Sequence, residues 1–309
     1  MQYFLAPLQS YTTVFYRKAH ATVYGAMDKY FTPFFEETGK DIDTLSTHHE
    51  LSTTLNHHLN TIPQLAGNDA DYLLVFARKV KQMGYHSINI NMGCPFPMLV
   101  KRQRGGGILQ HPKKIAAMLD AFFTQTSGIG LSVKMRLGVD HPRQGQETLR
   151  LLNDYPLEEV IIHPRLVNQK YTGTADWDAF EEMVAISRHP LVANGDINTP
   201  EQAQKLTQRF PHLKALMLGR GLLSSPSLHK QLLGHPNKAD ILQLHDAYHL
   251  LIRDYYQDWN RYFNFLQTFW HYPLQGSTAL KRHLRQLKKH NKPDLYKKWL
   301  SALTQHWGE

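Results

Sequence analysis

Short apolar runs alternate with longer segments of helical periodicity along most of the chain. The apolar runs have the length of strands, and several end at a polar residue or a glycine. In the segments between them, apolar residues recur at spacings of three and four, which is typical of amphipathic helices packed on a sheet. The pattern predicts strands at Tyr3–Pro7, Tyr30–Phe34, Ile62–Leu65, Ser87–Asn91, Leu131–Arg136, Glu159–His163, Leu191–Asn194 and Ala215–Gly219.

The intervening segments supply the helices of a repeating unit. Eight strand–helix repeats over roughly 235 residues predict an α/β fold, a (β/α)8 TIM barrel, with a doubly wound open sheet as the competing architecture. We place this domain at residues 1–236. The predicted helices include Asp69–Met83, Pro112–Phe123, Gln146–Asn153, Trp177–Ser187 and Pro200–Arg209.

The chain changes character after about residue 236, and we predict a small C-terminal α-helical domain at 237–309. Aromatic residues between 248 and 272 recur at helical spacing, which favours a helix–helix core over platforms for stacked bases. Residues 281–298 carry eight lysines and arginines against a single acidic residue, Asp294. Such a run is often only a solvated face, but it also fits a surface for an RNA backbone.

The only cysteine of the chain, Cys94, follows an apolar run that alternates with asparagine and ends in Gly93-Cys94-Pro95. This pattern predicts a buried strand that stops in a tight turn. A single cysteine cannot form a disulfide within the chain, and no partners for a zinc site accompany it. The thiol is therefore either a small core side chain or a functional group presented at the end of the strand.

Polar residues gather at the ends of the predicted strands. In a barrel these ends converge on one face, where the active site is built. The loops Asn194-Gly195-Asp196 and Gly219-Arg220-Gly221 follow strands seven and eight, the usual phosphate site of this fold, and so indicate a phosphorylated cofactor. The strand-end residues are Pro7, Gln64, Asn91, Lys134, Arg136, His163, Arg165, Asn194 and Arg220.

Composition narrows the class of protein. The 309 residues include 42% hydrophobic and 20% charged residues, as in an ordinary globular protein. One cysteine fits a reducing cytoplasm, and we see neither a signal peptide nor an apolar run of the ~18 residues that span a bilayer. The net charge of +9 favours a polyanionic partner, with nucleic acid first. The histidine doublets at 48–49 and 57–58 match no standard metal site, and we expect no metal.

An ordered set of motifs resembles the tRNA-dihydrouridine synthase family, whose members reduce uridine in tRNA with a flavin. The most specific element is Asn91-Met92-Gly93-Cys94-Pro95, and the resemblance covers the barrel nearly end to end. The other matching motifs are Ala6-Pro7-Leu8, Pro63-Gln64-Leu65, Gly105-Gly106-Gly107, Lys134-Met135-Arg136, His163-Pro164-Arg165, Asn194-Gly195-Asp196 and Gly219-Arg220.

The resemblance implies FMN as cofactor, NADPH as electron donor and tRNA as substrate, with Cys94 as the catalytic acid. A thiol with a pKa near 8.5 is mostly protonated at neutral pH and can donate its proton. The implied flavin contacts are Pro7, Leu8, Gln9, Gln64, Lys134, His163, Asn194, Gly195, Asp196, Gly219 and Arg220. Contacts to the uracil or the tRNA are expected from Asn91, Arg136, Arg165, Lys101, Arg102, Arg282, Lys288 and Lys289. Arg104 and the glycines at 105–107 belong to the loop after Cys94 that also carries Lys101 and Arg102, and we expect this loop to move as substrate enters.

This chain departs from the family pattern at three places. Leu8 and Pro164 replace the usual residues of their motifs, and Thr32-Pro33 replaces a Thr-Glu pair after the second strand. Two other functions stay open: a flavin barrel enzyme acting on a small molecule such as a pyrimidine, and a non-catalytic RNA-binding barrel. We expect a cytoplasmic protein without an obligate protein partner, and a monomer.

Overall fold

The structure is a computed structural model that forms two compact units. The first unit comprises Met1–Val14 and Met27–Gly219, and the second comprises Phe15–Ala26 and Arg220–Glu309. The predicted domain boundary between residues 236 and 237 lies outside the described residues and stays a prediction. The structure describes residues 1–38, 41–235, 241–275, 278–289 and 291–306.

The first unit is built on one sheet, whose strands all pair in parallel. Its described strands follow the order β3-β5-β6-β7-β8-β9-β10-β1-β2-β4. They are β1 (Gln2–Leu5), β2 (Lys29–Phe31), β3 (Phe35–Glu36), β4 (Thr61–Ile62), β5 (Gln64–Ala66), β6 (Ser87–Met92), β7 (Gly130–Gly138), β8 (Val160–Leu166), β9 (Leu191–Asn194) and β10 (Ala215–Leu218).

The order of pairing closes the sheet into a ring. Strand β3 continues β2 beyond Pro33, and β5 continues β4 beyond Pro63. Because β2 pairs with β4 and β3 pairs with β5, the two ends of the strand order are parts of the same two strands. Ten short strands therefore make an eight-stranded barrel, which confirms the predicted TIM fold.

Two prolines explain why the second and third predicted strands are each broken in two. Proline has no N–H to donate to a neighbouring strand, so Pro33 and Pro63 interrupt the ladder. Thr32 bridges the break: its N–H donates to the Ile62 carbonyl at 3.1 Å, and its hydroxyl accepts from the N–H of Gln64 at 3.0 Å. We call these five residues the seam of the barrel.

Helices connect the strands, and local signals set their ends. Asp69 precedes the third helix and accepts a hydrogen bond from the N–H of Tyr72 at 2.7 Å, while Pro112 and Pro200 each begin a helix. No helix in the described part of the chain is both long and apolar enough to cross a bilayer. The helices are α1 (Val14–Tyr24), α2 (Asp41–Thr44), α3 (Ala70–Gln82), α4 (Pro97–Lys101), α5 (Pro112–Gln125), α6 (Arg143–Leu152), α7 (Trp177–Ile186), α8 (Pro200–Arg209), α9 (Arg220–Ser224), α10 (Leu228–Leu232), α11 (Ile241–Tyr255), α12 (Trp259–His271), α13 (Thr278–Leu287) and α14 (Pro293–His306).

The interior of the barrel has an apolar half and a polar half. On β5, β6 and β7 the register partners Gln64, Asn89 and Ser132 are fully buried. Side chains two residues apart on a strand share a face, so these polar residues face the same interior as Asn91 and Lys134 above them. The apolar half comprises Phe4, Ala6, Phe31, Ile62, Ile161, Val192, Ala215 and Met217.

The second unit is helical and has an aromatic core. Tyr248 and Trp270 are buried, which confirms that they form helix core, whereas Tyr255 is 46% exposed. The Tyr296 hydroxyl lies 3.0 Å from the Trp270 indole nitrogen, which donates to it, and 2.7 Å from Nε2 of His245. These bonds satisfy polar atoms that burial would otherwise make costly. A C-terminal helical region was predicted and is confirmed.

Candidate active site

Cys94 lies in the turn that follows β6, and the Asn91 side chain holds this turn. Asn91 Oδ1 accepts hydrogen bonds from the backbone N–H groups of Gly93 and Cys94, at 3.0 Å and 2.9 Å. The carbonyl of Cys94 in turn accepts from the N–H of Gly106 at 2.9 Å. The thiol is half-buried. The turn is thus fixed from both sides, while Cys94 is not fully enclosed.

The glycines at 105–107 are required by close packing around this turn. Gly105 has φ +54, and a Cβ placed on it would lie 3.0 Å from Cβ of Cys94. A Cβ on Gly107 would lie 2.5 Å from the carbonyl oxygen of Val100. All three glycines are buried in a 3-10 helix. Tight contact with the cysteine therefore gives a second reason for the glycine motif, besides the freedom to move that we expected from the sequence.

Burial dominates the acidity of the cysteine. It raises the pKa of the Cys94 thiol above its ordinary value, against a hydrogen bond with the Phe96 backbone and the charges of Arg136 and Lys134, which lower it. The thiol therefore carries its proton at neutral pH. Once the proton has left, the two nearby cations stabilise the thiolate. This is the electrostatic setting of a proton donor rather than of a standing nucleophile.

Lys134 lies beside Asn91, its register partner on the neighbouring strand. The lysine is half-buried. The pKa of Lys134 is lowered to about 7: burial is the main cause and the charge of Arg136 adds to it, while Cys94 acts in the opposite direction. An amino group in this state gains a full charge when an anion binds next to it.

Arg136, predicted to contact the substrate, is 2% exposed and binds the loop that follows β8. Its Nη1 donates to the carbonyls of Leu166 and Lys170, at 2.9 Å and 2.6 Å. The guanidinium also lies over the ring of Tyr171, 5.3 Å from its centroid, and that tyrosine is 50% exposed. The arginine thus connects β7 to the β8 loop and supports one face of an exposed ring.

Three of the predicted site residues, His163, Arg165 and Asp196, meet in one hydrogen-bonded cluster. Arg165 Nη1 is 2.9 Å from Nε2 of His163, and its Nη2 donates to Oδ2 of Asp196 at 2.6 Å. Nη2 also donates to the carbonyl of Gly173 at 2.7 Å, and Nε to that of Thr172 at 3.3 Å. Arg165 is 1% exposed, so these bonds form in a low-dielectric environment.

The cluster fixes the hydrogen positions on the histidine. A guanidinium only donates, so Nε2 of His163 accepts, and the hydrogen of the neutral ring is on Nδ1. Arg165 uses Nε, one Nη1 and both Nη2 hydrogens within the described residues. One of its five N–H groups is left for another acceptor. The predicted contact of Arg165 with uracil is therefore restricted to a single hydrogen bond.

The turn after β9 packs directly on this cluster. The Asn194 amide donates to the carbonyl of Met217 on β10 at 2.8 Å, which fixes its side chain. Gly195 has φ +129, and a Cβ there would lie 2.9 Å from Cδ2 of His163. Asp196 follows with φ +48. The glycine is needed both for its backbone conformation and for the close approach of the imidazole.

The loop after β1 is held by the Thr12 hydroxyl. This hydroxyl accepts from the N–H of Leu8 at 2.8 Å and donates to the carbonyl of Ala6 at 3.1 Å. Gly219, at the end of β10, lies nearby: a Cβ on it would be 3.6 Å from Cβ of Ala6. Three predicted flavin contacts lie on this loop, namely Pro7, Leu8 and Gln9.

Two of the basic residues in the loop after Cys94 form ion pairs with Glu36, at the end of β3, and Glu37, just after it. Arg102 Nη1 lies 2.7 Å from Oε1 of Glu36, and Arg104 Nη2 lies 2.5 Å from Oε1 of Glu37. Lys101 is exposed. The sequence interpretation treated Arg102 as a phosphate contact and did not consider the glutamates. A phosphate that binds Arg102 therefore meets a guanidinium that already pairs with a carboxylate through Nη1.

Four of the predicted residues belong to the second unit. Arg220 is the first residue of α9, Arg282 is exposed on α13, and Lys288 and Lys289 are exposed just after it. The remaining predicted residues belong to the first unit.

Asn89 and Ser132 were not predicted. They connect Gln64 to the barrel interior through hydrogen bonds of 2.7 Å and 2.8 Å. The signal that was present is the alternation Ile88-Asn89-Ile90-Asn91, which places both asparagines on one face of β6. The hydrogen-bond partners of Asn89 and Ser132 depend on how β5, β6 and β7 pair. The sequence of a single strand does not specify that pairing.

Two other features lie apart from this site. Within the described residues no group of three or more His, Cys, Asp or Glu is arranged to hold a metal ion. A cavity of about 250 Å³ opens near the start of β4 and β6, where Asn56 accepts from Thr61 and donates to Tyr85. None of the predicted site residues lines that cavity. In barrels this face serves stability rather than catalysis.

Comparison with known proteins identifies one family. Its model, described as dihydrouridine synthase (Dus), matches residues 4–308. A "Probable tRNA-dihydrouridine synthase" of Rhizobium leguminosarum bv. phaseoli is 31% identical over 196 residues, which are 62% of this chain and 61% of the relative. A "tRNA-dihydrouridine synthase B" of Shewanella oneidensis is 29% identical over 170 residues, 55% of this chain and 52% of the relative. The chain thus matches between half and three fifths of the length of these relatives.

Among solved structures, an old yellow enzyme homologue from Zymomonas mobilis has a TM-score of 0.57. It is 13% identical, and the match covers 79% of this chain and 91% of that one. At this identity the likeness concerns the fold alone, and it agrees with the barrel described above.

Proposed function

Because the chain belongs to the dihydrouridine synthase family, we propose that it reduces the C5=C6 bond of a uridine in tRNA to dihydrouridine, using bound FMN and NADPH as electron donor. The observation that carries this proposal is the half-buried Cys94 in a turn held by Asn91, with Lys134 as the register partner of that asparagine on the neighbouring strand. A single free cysteine fits a reducing compartment, and we place the activity in the cytoplasm. We propose a monomer.

The residues present fit a flavin phosphate and ring. Lys134 is a half-buried amine whose pKa of about 7 rises when a negative ring edge approaches, which is what the N1–O2 side of a reduced flavin offers. The Gly195 turn brings backbone close to His163, whose Nδ1 hydrogen is a donor. When bound, reduced FMN supplies the hydride that C6 of uracil receives. The residues that would hold it are Pro7, Leu8, Gln9, Gln64, Lys134, His163, Asn194, Gly195, Asp196, Gly219 and Arg220.

Cys94 supplies the proton that C5 requires. Its raised pKa keeps the proton in place until negative charge develops on the uracil, and Arg136 and Lys134 then stabilise the thiolate. Because Cys94 is half-buried rather than fully enclosed, we expect solvent to return the proton before the next turnover. The backbone N–H bonds to Asn91 keep the turn that carries Cys94 in one conformation.

The carbonyls of the uracil need donors, and two side chains have one hydrogen each to give. Within the described residues Asn91 uses one hydrogen of its amide for Gln64, which leaves the second for the base. Arg165 has one Nη1 hydrogen left. Both groups are held by other bonds, so they stabilise charge on the uracil without having to reorganise.

Binding of tRNA requires a base that leaves its stack and a surface for the backbone. We assign the backbone contacts to exposed cations of both units, because each phosphate neutralised releases a counterion and strengthens binding. These cations are Lys101, Arg102, Arg282, Lys288 and Lys289.

The test is the dihydrouridine content of unmodified tRNA after incubation with the protein, FMN and NADPH, measured by mass spectrometry. We expect a gain of about two mass units at one uridine, because a hydride and a proton are added. Cys94→Ala should keep its flavin and its tRNA affinity and lose at least about a hundredfold in turnover, the contribution of a positioned acid. NADPH oxidation without any mass gain would instead support a small-molecule reductase. Absence of bound flavin would support a binding protein.

A further inference from the structure

Four buried side chains form a continuous line of hydrogen bonds across the polar half of the barrel. They connect the Cys94 turn to a backbone carbonyl on β6, through Asn91, Gln64, Asn89 and Ser132. We call this line the relay. Nothing in the proposed chemistry uses Asn89 or Ser132, since neither lies at the end of a strand.

The first half of the relay has only one possible direction. Asn91 Oδ1 already accepts from two backbone N–H groups, at Gly93 and Cys94. The group that Asn91 turns toward Gln64 is therefore its amide nitrogen, which donates to Gln64 Oε1 at 2.9 Å. This in turn requires Gln64 to present its own nitrogen on the other side.

The second half continues in the same direction. Gln64 Nε2 donates to Oδ1 of Asn89 at 2.7 Å, and Nδ2 of Asn89 donates to the Ser132 hydroxyl at 2.8 Å. The hydroxyl donates to the carbonyl of Ile88 at 3.3 Å. The relay thus begins on backbone N–H groups and ends on a backbone C=O. Both ends belong to the main chain and determine the orientation of every amide between them.

Burial makes this orientation costly to reverse. Gln64, Asn89 and Ser132 are 0% exposed, and Asn91 is 7% exposed. If one amide turned over, two donors or two acceptors would face each other with no water to separate them. A buried polar group without a partner costs the full penalty of its desolvation.

We propose that Asn89 and Ser132 are positioning residues for the reduction. They hold Gln64, and through it Asn91, in a single orientation, so that Asn91 presents its oxygen to the Cys94 turn and its remaining hydrogen to the base. The assignment of catalytic work to Cys94 rests on the proposed function. The geometry of the turn does not, and it can be measured separately.

Asn89 offers a matched pair of variants of nearly equal size. Asn89→Asp in its neutral form keeps one acceptor for Gln64 and one O–H donor for Ser132, so the relay survives. Asn89→Leu removes both, and it leaves the Gln64 nitrogen without an acceptor. We expect kcat to fall at least about tenfold in Asn89→Leu, the loss that corresponds to one unsatisfied buried group, with KM for tRNA within about twofold. Asn89→Asp should stay within about threefold of the parent.

The second readout is the rate at which iodoacetamide alkylates the single cysteine of the purified 309-residue chain, followed by intact mass. We expect this rate to rise at least about threefold in Asn89→Leu and to remain unchanged in Asn89→Asp, because only the first loosens the turn. Thr148→Val is the control: Thr148 is a buried residue of the same unit, and among the described residues its hydroxyl bonds to the Gln144 carbonyl of its own helix. It should leave the rate unaltered.

Parental kcat and parental alkylation in Asn89→Leu would overturn the proposal. If Asn89→Leu fails to fold, Ser132→Ala replaces it: the smaller truncation removes the acceptor of Asn89 and should change both readouts in the same direction. Unchanged values in a folded Ser132→Ala would overturn the proposal equally. If the parent protein makes no dihydrouridine, the proposed function fails, whereas the alkylation rates still decide whether the relay holds the turn.

Discussion

The Lys134 amine inside the barrel lowers the free energy of unfolding, because its charged form loses contact with water on folding. Burial, with a smaller contribution from the charge of Arg136, lowers the pKa of Lys134 from 10.5 to about 7. In the unfolded chain the ordinary value returns, so the unfolded state binds more protons than the native state between pH 7 and 10.5. The free energy of unfolding therefore rises with pH across this window and is lost as the pH falls toward 7.

The size of the effect follows from the pKa difference. Each pH unit corresponds to about 1.4 kcal/mol, so the difference amounts to at most ~5 kcal/mol. Because Lys134 as a residue keeps partial contact with solvent, screening reduces this, and we expect roughly 3 kcal/mol at pH 7. Lys134→Met, which keeps the length of the side chain without its charge, should therefore be more stable than the parent by that amount at pH 7. It should lose the proposed reductase activity at the same time.

The assay is urea unfolding of the flavin-free protein at about pH 7, 8 and 9.5, the range in which the native and unfolded lysines differ. The advantage of Lys134→Met should shrink by roughly 1 kcal/mol per pH unit as the pH rises. Lys205→Met, which removes an exposed lysine from α8, shows what the loss of one surface charge does. The reasoning is refuted if Lys134→Met is no more stable than the parent at pH 7, or if its advantage does not change with pH.

Three further predictions concern other parts of the molecule. His20 is fully buried in the second unit, and burial is the main cause that lowers its pKa to about 4. The free energy of unfolding of the parent should therefore fall by about 3 kcal/mol as the pH drops from 6.5 to 4. Urea unfolding of His20→Gln should show a correspondingly smaller loss over the same range. Arg165→Lys keeps the charge but loses the planar set of donors. We expect kcat to fall about 10–100-fold in steady-state kinetics, and the free energy of unfolding to fall by about 2 kcal/mol in denaturant titration. Charge reversal of Lys288 and Lys289 should weaken tRNA binding and make its dependence on log salt shallower by about two units, measured by fluorescence anisotropy; an unaltered salt slope would place the RNA elsewhere.

The barrel was predictable because its periodicity is local. Strand and helix bounds at Leu191–Asn194 and Pro200–Arg209 agree with the structure to the residue, since each is marked by an apolar run or an N-terminal proline. The second and third strands were predicted whole although Pro33 and Pro63 lie inside them. A proline signals an interruption, but how the ring is still closed depends on the Thr32 side chain reaching across two strands.

The site was predictable in its members more than in its connections. The position of His163, Arg165 and Asp196 at or after strand ends indicates that they share a face of the barrel. It does not indicate that four N–H groups of Arg165 donate to other groups of the protein. In the same way Arg102 was interpreted from its charge alone, and its partner Glu36 is distant in the sequence. Pairwise partners of this kind are set by tertiary packing, to which a single sequence gives no direct access.

The seam has a consequence for how the molecule opens and folds. Across it the ring is joined by the two-residue strands β3 and β4, whereas six register pairs join β6 to β7. Its amides should exchange with solvent by local opening, while those of β6 and β7 exchange only when the whole unit unfolds. Gln64 is a seam residue and also a member of the relay. Its N–H donates to Thr32 across the seam and its side chain donates to Asn89 on β6, so local opening of the seam is expected to disturb the relay and, through it, the turn that carries Cys94.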